Sequence, residues 1–267
     1  MLVGCGLIRK EDLYSAAESG FDYVEFMGKY LMAMSQKEFL DTVTEAERLK
    51  MRCLGINGYC PKEIVMAGPG FDPKRAKEYA RQLSERAEAL ETKFVGIGSP
   101  NSRTLPEGYP AGKAEEELKD FLKITAEEFG RYGITVCLEA LAPCYCNFIN
   151  SVEESARIVR EVGWDSIKTV LDFYNMEYVG EADRRPEDII DSVVHAHISD
   201  DDGGPLKRSF LRAEKSEIHQ RRIRMLYEAG YTGAVTIEVD VPADPKRAEE
   251  SLRTVKDSVK GRKLNHE

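Results

Sequence analysis

A chain of 267 residues, 42% hydrophobic and 32% charged, can bury the core of one large α/β barrel and remain soluble. Its formal net charge of -9 opposes binding to a phosphate backbone, so nucleic acid is not an expected partner. No apolar run approaches the ~20 residues of a membrane helix. The start Met1-Leu2-Val3-Gly4-Cys5-Gly6-Leu7-Ile8 has neither a basic leader nor a small-residue cleavage site. A cytoplasmic protein without membrane contact is expected.

Eight strand-like runs are predicted in chain order: Leu2–Ile8, Tyr23–Met27, Arg52–Asn57, Phe94–Gly98, Ile134–Leu141, Thr169–Phe173, Val193–Ser199 and Ala234–Val239. They are short, β-branched and apolar on both faces, as strands covered on both sides are. Amphipathic stretches separate them. Glu115–Tyr132 carries Leu118, Phe121, Leu122, Ile124, Ala126 and Phe129 at roughly helical spacing. Ser151-Val152-Glu153-Glu154 reads as a capping box opening a helix to Val162. Gly20, Gly133 and Gly230 are predicted helix stops before the next strand. The alternation implies a parallel sheet, and its size predicts a single (β/α)8 TIM barrel over residues 1–267. A doubly wound open sheet is the runner-up. Gly96-Ile97-Gly98-Ser99-Pro100-Asn101 lacks the glycine-and-helix continuation of a dinucleotide loop. The tail after Val259 is expected to fray.

Four runs end on a polar side chain suited to a cation: Glu139, Asp172, His197 and Glu238. Each follows buried apolar residues, so all four should emerge on the C-terminal rim of a barrel, where active sites sit. Like charges buried together repel, and burial penalises each one. A divalent cation removes both costs. Three carboxylates and one imidazole favour Mn²⁺, with Mg²⁺ or Co²⁺ as alternatives, over zinc. His195, two residues before His197, points the same way one layer deeper and suits a supporting role. A cation there could stabilise the enediolate formed when a proton leaves the carbon beside a carbonyl. Glu139 and Glu238 would serve as the catalytic base and acid. The expected partner is then a small molecule with a carbonyl and a hydroxyl on adjacent carbons.

Several other residues carry open alternatives. Glu25 ends the second strand as either a substrate contact or a structural ion pair. Asn57 ends the third strand and is a candidate substrate contact. Lys207, Arg208 and Arg212 form a basic cluster after the seventh strand, to hold a phosphate or carboxylate or simply to be solvated. His219, beside Gln220, Arg221 and Arg222, reads as a surface residue. The cysteines fit no zinc pair; Cys5, Cys53 and Cys137 read as small buried hydrophobes, and Cys144 and Cys146 lie in a loop near the rim where a reactive thiol is an alternative.

The chain resembles the xylose isomerase-like barrel superfamily, in particular its sugar phosphate isomerase/epimerase branch. The resemblance lies in Gly20-Phe21-Asp22-Tyr23-Val24-Glu25-Phe26, Leu138-Glu139 with Asn147–Glu154, Val170-Leu171-Asp172, His195–Asp200, Ala229–Gly233 and Ile237-Glu238. It implies a divalent metal on Glu139, Asp172, His197 and Glu238. It also marks departures from the ketose 3-epimerases. Asn175 stands where they carry a His, Tyr145 where they carry a Glu, and Gly203 where they carry an Arg. Asn175 and Tyr145 are therefore candidate substrate contacts of altered chemistry. The implied activity is a sugar or polyol isomerase or epimerase. The alternatives are a dehydratase of a cyclic polyol or keto acid, or a barrel that binds without turnover. Barrels of this kind often pair through their helical exterior, which leaves a homo-oligomer open.

Overall fold

The computed structural model describes residues 1–260. Eight parallel strands close into a barrel: Val3–Leu7, Tyr23–Met27, Cys53–Asn57, Phe94–Ile97, Thr135–Glu139, Ile167–Asp172, Val193–Ile198 and Ala234–Ile237. Each pairs with the next in sequence, and Val3–Cys5 closes the ring on Val235–Ile237. This is a single (β/α)8 TIM barrel. The predicted strands are all present, trimmed by one or two residues at many ends and extended by two at the start of the sixth.

The helices follow local chemistry. The fifth-strand approach is a helix over Ala111–Gly130, whose Leu118, Phe121, Leu122, Ala126 and Phe129 are buried against the barrel. Ser151 caps Val152–Val162 through Glu154 in a reciprocal capping box. Gly20, Gly133 and Gly230 take left-handed conformations with φ of 82, 68 and 86°, as helix stops need. The tail expected to fray beyond Lys260 lies outside the described residues.

The barrel interior is layered. Tyr23, Leu54, Phe94, Cys137, Val170 and Ala234 form an apolar plug. The His195 ring stacks on Phe94 at 4.0 Å between centroids. Above it come Glu25 and Thr236, and above those the rim. Gly55 permits this layering, because a β-carbon there would lie 2.2 Å from the Phe94 ring and 2.7 Å from Glu25. The plug closes the barrel's lower end, so polar groups above it meet water only from the C-terminal side.

Candidate metal centre at the C-terminal rim

Glu139, Asp172 and Glu238 bring carboxylate oxygens, and His197 a ring nitrogen, to within 4.8 Å of one another. Glu139 and Asp172 end the fifth and sixth strands, His197 is the penultimate residue of the seventh, and Glu238 directly follows the eighth. In-register pairing sets Asp172 beside His197. Gly98 leaves room for Glu139, since a β-carbon there would stand 2.5 Å from its Oε2.

The cluster is braced from several sides. Asn57 donates its amide to Glu238 Oε1 at 2.9 Å. Asn175 donates to Glu139 Oε1 at 3.0 Å and to Asp172 Oδ2 at 2.8 Å. Arg103, fully buried, donates to the Glu139 carbonyl at 2.7 Å and fixes the strand end. Beneath the cluster, Glu25 Oε2 lies 3.0 Å from His197 Nε2 and Oε1 lies 2.5 Å from His195 Nε2. The Thr236 hydroxyl also donates to Glu25 Oε1.

Arg208 enters from above. Asp200–Asp201 and Arg208–Ser209 form a two-stranded antiparallel ribbon after the seventh barrel strand. The ribbon delivers the Arg208 guanidinium 2.7 Å from Asp172 Oδ2 and 2.5 Å from Glu238 Oε2. The guanidinium packs over the Tyr174 ring at 4.7 Å and the Tyr145 ring at 5.8 Å. Both tyrosine hydroxyls donate to the Pro205 carbonyl, tying the ribbon down.

Electrostatics follow from this packing. Burial pushes the Glu139 carboxyl well above its usual range, and repulsion from Glu238 and Asp172 adds to it. Burial also raises Glu238, although Arg208 and His197 oppose it. Asp172 is lowered, because Arg208 and His197 outweigh its burial. Burial alone would lower the His197 imidazole, yet Glu25 and Glu238 raise it to about 10. Glu25 is lowered despite burial, by the two histidines.

The donor set fits a divalent cation. His197 Nδ1 is buried without a hydrogen-bond partner and faces Glu238 Oε2 at 3.4 Å, while Nε2 is engaged by Glu25. A carboxylate that fixes one ring nitrogen leaves the other aimed at a metal. Three oxygens and one nitrogen suit a hard or borderline ion.

A cavity of about 390 Å³, within the range of small-molecule sites, opens onto the cluster. Glu139, Glu238, Asn57, Tyr145 and Arg208 line it, together with Met27, Lys29, Lys62 and Asp240. Several sequence expectations need correction. Glu25 is not a cavity residue; it is 1% exposed and forms the ion pair beneath the cluster. Asn175 is buried and holds two carboxylates instead of lining the cavity. Lys207 is exposed at the ribbon's turn, just before its second strand, and does not line the cavity, whereas its neighbour Arg208, the first residue of that strand, is buried in the cavity wall. His219 is fully buried, with Nε2 2.8 Å from Asp200 Oδ2. Arg103 and Thr236 were missed. Thr236 stands two residues before Glu238, so strand alternation already placed both on one face.

Asp200 anchors the ribbon. It accepts from the Arg212 N–H at 2.7 Å and pairs with His219 and Lys215. Burial would raise its carboxyl, but His219, Arg212 and Lys215 lower it overall. A lowered folded pKa adds stability above the unfolded value, and that stability is lost as pH falls through the folded one. Asp200→Asn is therefore expected to cost about 1–3 kcal/mol at pH 7 and progressively less in acid. Urea unfolding across that pH range checks it.

A parallel barrel with an oxygen-rich cluster at its C-terminal rim defines a class of barrels built for small-molecule chemistry. Residues 13–258 match the family model described as xylose isomerase-like TIM barrel, and the chain belongs to that family. A curated relative, the 2-oxo-tetronate isomerase of Haemophilus influenzae, is 26% identical over 84% of this chain and 84% of its own. The structure of D-psicose 3-epimerase with D-tagatose, from Clostridium cellulolyticum H10, superposes with a TM-score of 0.76 at 19% identity. That match covers 97% of this chain and 99% of the other. The IOLI protein with a binding zinc atom superposes with a TM-score of 0.65 at 20% identity, over 97% and 96% of the two chains. Among the described residues no helix is long and apolar enough to cross a membrane.

Proposed function

We propose that the chain is a divalent-metal-dependent isomerase or epimerase of a sugar or sugar-like polyol. One observation carries this reading: of the four clustered ligands, only Glu139 and Glu238 line the cavity. Asp172 and His197 are buried behind them and serve as ligands alone. Glu139 and Glu238 combine ligation with contact to the substrate.

A cation held by Glu139, Asp172, His197 and Glu238 supplies stabilisation of negative charge on adjacent carbonyl and hydroxyl oxygens of the substrate. Mn²⁺ is the proposed ion, with Mg²⁺ or Co²⁺ as substitutes; the zinc in the IOLI structure makes zinc a necessary comparison. One glutamate takes the proton from the carbon beside the carbonyl. The other returns a proton, to the opposite face in an epimerisation or to the neighbouring carbon in an isomerisation. Asn57 and Asn175 hold these carboxylates in place. Arg208 keeps water from the cluster on its open side and presents a cationic face to the substrate oxygens.

The relatives named above support the reading by their substrates, a 2-keto sugar acid in one case and a ketose in the other. Incubation with 2-oxo-tetronate or D-tagatose and Mn²⁺ in deuterated water tests it. Deuterium next to the carbonyl with a new isomer and no loss of water is expected. Loss of water would make the protein a dehydratase, and absence of exchange with every ketose and keto acid tried would overturn the enzymatic reading.

A further inference from the structure

Part of the cavity wall is made by the segments that follow the second, third and fourth strands. Lys29, near the start of the short helix Gly28–Ala33, Lys62, in the stretch after the third strand, and Asn101, in the turn Pro100–Ser102, line the cavity from these segments. Both lysines are exposed, and among the described residues neither ammonium has a carboxylate within 4.0 Å. Most exposed lysines are solvated and do nothing specific. These two differ because they share a small cavity with the reacting carboxylates, and because neither comes within ion-pair distance of the Glu63 and Asp240 that also line it, although Lys29 acts on Asp240 at longer range.

The supporting loops are fixed. The Lys29 N–H donates to the Gly58 carbonyl at 3.2 Å, joining the second and third loops. The Cys60 N–H donates to Ser99 Oγ at 2.9 Å, and Ser102 Oγ donates to the Pro61 carbonyl at 3.0 Å. Lys62 thus follows a segment pinned to the fourth loop. The backbone that carries the two lysines is set before a ligand arrives, which limits the ordering cost to the side chains themselves.

We propose that Lys29 and Lys62 form a subsite for the anionic end, carboxylate or phosphate, of a polyhydroxylated substrate whose carbonyl end lies at Glu139 and Glu238. This rests on the isomerase or epimerase reading and narrows it to acidic or phosphorylated sugars. In a protein of net charge -9, an anion entering this cavity needs local cations, and ammonium groups bind either anion as point charges. Glu63 and Asp240 offer acceptors to the hydroxyl groups of such a ligand.

Calorimetry on the Mn²⁺-loaded protein tests this with D-erythronate, erythritol 4-phosphate and erythritol, which share one carbon skeleton. At least one anion is expected to bind about tenfold more tightly than erythritol, and the preferred one identifies the group recognised. Lys29→Met with Lys62→Met is expected to shrink that preference to about threefold or less, and Lys29→Arg with Lys62→Arg to retain it. No preference in the wild type overturns the subsite. A preference that survives the double methionine variant assigns the anion to the cation centre and overturns it equally. Deuterium exchange is scored separately: anion preference without exchange supports the subsite while sinking the isomerase reading, and exchange without preference does the reverse.

Discussion

Glu139→Gln and Glu238→Gln are each expected to lower proton exchange by about 10²–10⁴-fold at saturating Mn²⁺. Glutamine keeps the shape and one oxygen of each side chain, so the hydrogen bonds from Asn175 and Asn57 can persist. What disappears is the capacity to take up and release a proton. Asp172→Asn separates this role from ligation. Asp172 does not line the cavity, so its variant should weaken the cation and recover much of its turnover as Mn²⁺ is raised. Turnover measured against Mn²⁺ concentration checks all three. A Glu238→Gln protein that exchanges at the wild-type rate would remove Glu238 from the chemistry.

Glu25→Ala should produce the largest loss of stability. Its carboxylate is buried and engages His195, His197 and Thr236 at once. Breaking a buried pair from one side strands the other partners without compensation, at a cost of about 3–5 kcal/mol. The same change frees the His197 ring, and loss of such a supporting carboxylate typically weakens a metal by about 10–100-fold. Glu25→Gln preserves volume and one hydrogen bond, so it should cost less stability while still weakening the ion. Urea unfolding of the metal-free protein and calorimetric Mn²⁺ titration report the two effects independently. Unchanged metal affinity in both variants would reduce Glu25 to a packing role.

Much of this site was legible in the sequence for a simple reason. A buried parallel strand reads as an apolar run, and the ionisable residue nearest its C-terminal end marks the rim. That rule located Glu139, Asp172, His197 and Glu238 without any structure, and strand alternation set His195 below His197. The resemblance of the same segments to a known barrel family pointed to one family, to which the chain belongs. Loops obey no such period. Arg208 reaches the carboxylates because a short ribbon folds back over the rim, and its basic neighbours Lys207 and Arg212 disguised it as part of a solvated patch. Arg103 follows a proline-led turn that says nothing about the Glu139 carbonyl it will meet. His219 was misread for a different reason. Polar and charged residues, Gln220, Arg221 and Arg222, follow it, but residues 219, 223 and 226 share one helical face, and Ile223 and Leu226 on that face are buried. Periodicity held the answer where local composition misled.

Glu25 shows how two alternatives are separated by depth. The sequence sets it on a strand that could expose it to substrate or bury it. The apolar plug below and the histidines beside it leave no path from its carboxylate to the cavity, so it engages His195 and His197 from beneath and does not reach the cavity. The exchange of the family's His for Asn175 reads similarly: the amide is short, buried and spent on Glu139 and Asp172.

The proposed function requires Glu139, Asp172, His197 and Glu238 to hold one cation, with the two glutamates also carrying protons. Titration of chelator-treated protein with Mn²⁺, followed by calorimetry and by deuterium exchange into a ketose or keto acid, tests this most directly. One ion per chain is expected, with exchange absent before its addition, restored in proportion to occupancy, and binding weakened by Asp172→Asn. Exchange that proceeds in the chelated protein, or a wild-type chain that takes up no stoichiometric ion, would contradict it.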